Sequence, residues 1–179
     1  MACLLTSGRD RPCFDTVGGL KKIYFADYGT LGAITYDVTD TDVVTTFGDA
    51  PEFFEFDLMG SASTFTQTIT KDVNNGTSFY AQALEVTFPK LTKAMNKELK
   101  LLVYATPHVI VEDFNGSYFV MGIENGANVT GGTVVTGGAK GDLSGYTLSL
   151  TAEEKLPANF LDSDIPTTTA TISAVKEQP

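Results

Sequence analysis

The groups on this chain whose type and spacing could do chemistry are few: one histidine, two cysteines, and some acidic and glycine-rich clusters. His108 could act as a general base only if the fold brought it a nucleophile and an orienting acid. The nearest serine motif, Gly141-Asp142-Leu143-Ser144-Gly145, sets its serine one position off the GxSxG elbow, and a strand follows where a helix is needed. It reads as a turn. The run from Gly131 to Gly141 is dense in glycine, but Lys140 is followed by Gly141 and Asp142 rather than by Ser or Thr and a helix, so it does not read as a phosphate loop. Asp37, Asp40 and Asp42 offer hard oxygens for calcium. They lack the Asp-x-Asp-x-Asp-Gly order and the distal Glu of an EF-hand, and read as a solvated acidic loop. Glu153 and Glu154 are adjacent, which in a strand turns them to opposite faces and prevents a glycosidase-type pair. Cys3 and Cys13 have neither CxxC spacing nor partner histidines. The expectation is a protein that is not an enzyme, with no catalytic, cofactor or metal residues.

Charge and length narrow the partners. The 179 residues suit one domain, and 42% hydrophobic residues argue against wholesale disorder. Lys and Arg number 12 against 22 Asp and Glu, a formal net charge of −10, which is the wrong sign for stable binding of DNA or RNA. No apolar stretch approaches the ~20 residues of a membrane span, so no membrane partner is expected. The start MACLLTSGRD lacks the basic n-region of a secretory signal, so synthesis in a reducing cytoplasm with both thiols free is expected, although a disulfide between Cys3 and Cys13 is geometrically open. The sequons at Asn75 and Asn115 are also Asn-Gly turns and read as turn chemistry.

The elements that would position these groups are mostly strands. Lys21 to Tyr28 reads as the first. Thr30 to Asp49 reads as a short strand and a long acidic loop. Phe53 to Met59 alternates, with Phe54, Phe56 and Leu58 on one face. Ser63 to Thr70 and Thr77 to Phe88 flank the Asn75-Gly76 turn, and His108 to Asp113 and Ser117 to Gly122 flank Asn115-Gly116, two hairpin signatures. Gly-rich turns continue to Gly145, and Tyr146 to Thr151 alternates as a final strand. One helix is predicted over Lys90 to Val103, with Pro89 in its first turn, Leu91, Met95, Leu99 and Leu102 on one side and Lys90, Lys93, Lys97 and Lys100 on the other. Residues 1–19 read as an N-terminal arm, 20–161 as the domain, and 162–179 as a tail that is flexible or orders on a neighbour. The fold class is mainly β: two packed antiparallel sheets, a sandwich or barrel, with one flanking helix.

This order of elements resembles the tail tube proteins of long-tailed bacteriophages. The most specific stretch runs from Asp113 to Pro157. There a D-x-N-G hairpin turn, a short apolar strand ending in Gly, an Asn-Gly turn, a Gly-Asp-x-x-Gly-Tyr turn and a last strand closing in Glu and Pro are matched at Asp113, Asn115, Gly116, Gly122, Asn125, Gly126, Gly141, Asp142, Gly145, Tyr146, Glu154 and Pro157. The N-terminal cysteine segment has no counterpart in that pattern.

The resemblance implies the fold shared with the type VI secretion tube, homohexameric rings stacked into a hollow tube, residence in a virion tail after synthesis in the host cytoplasm, and contacts with other tail proteins such as a sheath, baseplate or terminator. It implies no catalytic residues. Edge-to-edge strand pairing between copies would consume sheet edges that otherwise aggregate. An acidic lumen would let DNA pass without stable binding. Glu55, Asp57, Glu85, Glu112 and Asp113 are the candidate lumen acids, plain solvent exposure being the rival for each. The alternatives are a β-sandwich binding module, extracellular or virion-displayed, for glycans or a host surface, and a minor neck or baseplate ring of the same fold.

Overall fold

A computed structural model describes residues 7–11, 13–49, 51–58, 62–162 and 171–174. Cys3, Met59 and most of the tail after Asp162 lie outside the described residues. In chain order the elements are β1 (Leu20–Ala26), β2 (Ile34–Tyr36), β3 (Val43–Phe47), β4 (Glu52–Asp57), β5 (Thr64–Asp72), β6 (Thr77–Pro89), α1 (Lys93–Leu102), β7 (His108–Asp113), β8 (Tyr118–Met121), β9 (Asn128–Val135), β10 (Gly145–Glu154), β11 (Asn159–Leu161) and β12 (Thr171–Ala174). Among the described residues no helix is long and apolar enough to cross a membrane.

Two sheets pack face to face, as expected. One has eight strands in the order β12-β4-β1-β7-β8-β11-β3-β2; the other has four, β5-β6-β10-β9. Between them lies the main core, where Ile23, Phe25, Val109, Val111 and Met121 of the large sheet meet Leu84, Val86, Leu148 and Leu150 of the small one. Alternation of β6 and β10 explains this side choice: Leu84, Val86 and Phe88 of β6 and Tyr146, Leu148, Leu150 and Ala152 of β10 recur at every second position and turn inward.

A second core lies on the opposite face of the large sheet. It joins Tyr24, Ile110 and Val120 to Val44, Phe47, Phe53 and Leu161. Phe47 of β3 and Phe53 of β4 have ring centroids 5.8 Å apart although their strands stand near opposite ends of the sheet order. The sheet therefore curls until its ends meet over a shared core.

Four departures from the sequence reading have local causes. The acidic loop over Thr30 to Asp49 is a hairpin of β2 and β3, because Val44 and Phe47 are buried and the Asp37 carboxylate closes the turn by accepting the N–H groups of Thr39 (2.6 Å) and Asp40 (3.0 Å). The helix begins at Lys93 rather than Lys90: Thr92 is its N-cap, accepting the Met95 N–H at 3.2 Å, while Pro89 ends β6 and Lys90 turns the corner at φ 71°. The Gly-rich stretch before Gly145 contains β9, paired with β10. The large sheet is not wholly antiparallel, since β11 runs parallel to β3, and Thr171 to Ala174 of the tail form β12, parallel to β4. Both parallel partners reach the sheet after long excursions, as parallel connections require.

Candidate assembly surfaces

The small sheet has two long open edges. β5 and β9 each pair on one side only among the described residues. Its outward face follows from the register: its cross-strand rows include Thr64, Glu85, Ser149 and Gly131; Thr66, Ala83, Thr151 and Asn128; Thr68, Ala81 and Glu153; and Thr87, Thr147 and Thr133. Small hydroxylated residues dominate these rows, which hold two exposed carboxylates, Glu85 and Glu153, and no cation. Thr133 and Thr147 are tied across the rim by a hydroxyl-to-hydroxyl hydrogen bond of 2.6 Å.

The five acids expected to act together are separated by the fold. Glu85 alone lies on the small sheet. Asp113 closes the β7–β8 turn, accepting the N–H groups of Asn115 (2.9 Å) and Ser117 (2.7 Å) so that Gly116 can take its φ of 80°. Glu55, Asp57 and Glu112 share the curled face of the large sheet, in register with Lys22 and Tyr24. Glu112 is not outward-facing: it is 3% exposed and accepts from Lys21 Nζ at 2.5 Å and from the Tyr24 hydroxyl at 3.1 Å. As a charged residue closing the apolar run Val109, Ile110 and Val111 it was assigned to solvent, but β1 pairs beside it and sets Lys21 and Tyr24 against its carboxylate. A β-bulge between Leu20 and Lys22 sets two residues against one on β7 and lets consecutive lysines serve this group, with Lys22 Nζ donating to Glu55 at 2.8 Å. That bond raises the Lys22 pKa. Burial, and then the negative charge of Glu112, push the Tyr24 phenol well above its ordinary value.

Glu153 was missed as a partner of Glu85. The inward run Leu148, Leu150 and Ala152 was the available signal, since it fixes the odd residues of β10 outward. Adjacency did separate the two glutamates as expected. Glu154 is buried, where its Oε1 accepts the N–H groups of Glu124 (3.1 Å) and Asn125 (2.9 Å) and so fixes the loop after β8.

His108 is a structural group of the same region. Its Nδ1 lies 2.6 Å from the Gly122 carbonyl and its Nε2 accepts the Gly29 N–H at 3.1 Å, which sets the Nδ1–H tautomer, and Tyr28 stacks on the ring. The turn carboxylate of Asp142, held to the Gly138 and Ala139 N–H groups at 3.0 and 2.7 Å, likewise organises backbone in the region that sequence reading took for a turn. Cys13 is a free, exposed thiol.

Comparison of the chain with known protein families and with curated proteins finds no match to either.

Proposed function

We propose that the chain is a structural subunit of a bacteriophage tail, a tail tube protein whose copies form stacked rings around a channel that passes DNA without holding it. The observation that carries this reading is the small sheet, whose two edges are unpaired among the described residues and whose outward face holds hydroxyls and carboxylates without cations. Its strands alternate in direction and number four, an even count, so a rotated copy presents β5 antiparallel to β9 of its neighbour. Head-to-tail pairing around a ring thus continues one antiparallel ladder until it closes, which removes both edges at once. The closed face would line the channel, and Glu85 and Glu153 would repel phosphates.

Residence in a virion tail and contacts with a sheath, baseplate or terminator belong to this proposal. Electron microscopy of the purified chain tests it: rings or tubes are expected. Ile69, exposed on edge strand β5, offers the control, because a lysine there should leave the subunit folded while blocking edge pairing. A chain that stays monomeric at every concentration, or an Ile69→Lys variant that polymerises as the parent does, contradicts the reading.

A further inference from the structure

An open groove of about 440 Å³ runs between α1 and strands β1, β4 and β6. Phe25, Phe56 and Phe88 form an aromatic floor, with Phe25 and Phe56 edge to face at 5.3 Å and Phe56 and Phe88 at 5.7 Å. Leu102 closes one wall, and Asp27 and Glu98 are the charged residues of the lining, both acidic. The chain holds a complementary group. Its two arginines, Arg9 and Arg11, both lie in the arm before β1. There Phe14 is 93% exposed, and the Arg11 guanidinium sits 5.2 Å from its ring centroid. Ring and guanidinium lie side by side, apolar on one side and cationic on the other. Asp10 and Asp15 make the arm neutral overall, so it carries none of the net repulsion of an otherwise acidic chain.

We propose that the groove receives the N-terminal arm of a second copy of this chain, with Phe14 seated on the aromatic floor and Arg11 set against Asp27 and Glu98. This rests on the reading of the chain as a self-assembling subunit. The arm of its own copy is tethered away from the groove. Val17 is clamped at the far end of β1, its N–H donating to Asn115 Oδ1 and its carbonyl accepting from Asn115 Nδ2, both at 2.8 Å. Phe14 is three residues upstream, a reach of at most about 11 Å. The groove floor begins at Phe56, paired with Ile23 roughly 10 Å down the strand from Leu20, and extends to Phe25 at roughly 17 Å, while Val17 lies beyond Leu20 on the other side. A neighbour's arm has no such tether.

Crosslinking between copies tests the contact on the full chain. Cys13 sits beside Phe14, and Leu101, in the groove lining and 56% exposed, accepts a cysteine without loss of core. In a Cys3→Ser, Leu101→Cys chain, a short bismaleimide should join different copies into covalent ladders. Phe14→Ala should leave the far-ultraviolet circular dichroism unchanged and weaken the contact by roughly 10- to 100-fold, the value of burying one such side chain. Links confined within single chains, or links that survive Cys13→Ser, overturn the proposal, the latter by showing groove against groove. Rings without the crosslink refute the arm contact and leave the tube reading standing. Crosslinked pairs without rings do the reverse.

Discussion

Replacing Tyr24 by Phe removes one hydroxyl from the buried group at the curled face, and its cost should depend on pH in a defined direction. At neutral pH the phenol donates to Glu112 Oε2 at 3.1 Å, and without it that oxygen loses a partner in a site where Glu112 is 3% exposed. Hydrogen bonds to charged groups contribute about 1.5–3 kcal/mol, and the long distance argues for the lower end, about 1.5 kcal/mol. The native pKa of Tyr24 is raised above its ordinary 10.0. The unfolded chain therefore releases this proton first as pH rises, and the stability associated with it is complete below about pH 10 and lost above it. At about pH 11 the loss from this group is about 1.4 kcal/mol, which cancels the neutral-pH advantage of tyrosine. Lys22, whose pKa is also raised, loses stability in the alkaline range too, but it is present in both proteins and drops out of the difference. Urea unfolding followed by far-ultraviolet circular dichroism at about pH 8 and about pH 11 measures both terms. A difference between parent and variant that is the same at the two pH values, or that grows with pH, would falsify the account of the buried phenol.

Two further outcomes follow from the same structure. Glu154→Ala should cost about 2–4 kcal/mol in urea unfolding, because it strips a buried acceptor from two backbone N–H groups, and Glu154→Gln, which keeps an acceptor oxygen, should cost less; equal costs would show that shape rather than hydrogen bonding fixes the loop. Assembled protein carrying Glu85→Lys and Glu153→Lys should gain salt-dependent affinity for DNA by electrophoretic mobility shift, and no gain would show that this face does not line an accessible channel.

The parts of the fold that were legible in the sequence are those set by local chemistry. Asp72-Val73-Asn74-Asn75-Gly76 announces its own turn, because the Asp72 carboxylate accepts the Asn74 and Asn75 N–H groups and Gly76 adopts a φ of 66°. The alternation of Leu84, Val86 and Phe88 against Ala83, Glu85 and Thr87 fixes which face of β6 is buried, and the apolar stripe of α1 fixes which side docks. Glu85 was identifiable on that ground, and Glu153 was within reach of the same reasoning. The strands that went unseen are short or poor in side chains. β11 has three residues, and β9 holds two consecutive glycines, so neither shows a period that pattern reading can detect.

Sequence by itself determined the two-layer β class, the two hairpins at Asn-Gly turns, the one helix and the acidic balance, since each depends on composition or on neighbours a few residues apart. Tertiary structure decided which carboxylates share a surface. Only the curl of the large sheet brings β3 over β4, only the bulged pairing of β1 with β7 sets Lys21 and Tyr24 against Glu112, and only the register of four strands sets Glu85 and Glu153 on one cation-free face. Burial of a charge is a property of what packs against it, and for Glu112 the partners come from β1, far away along the chain.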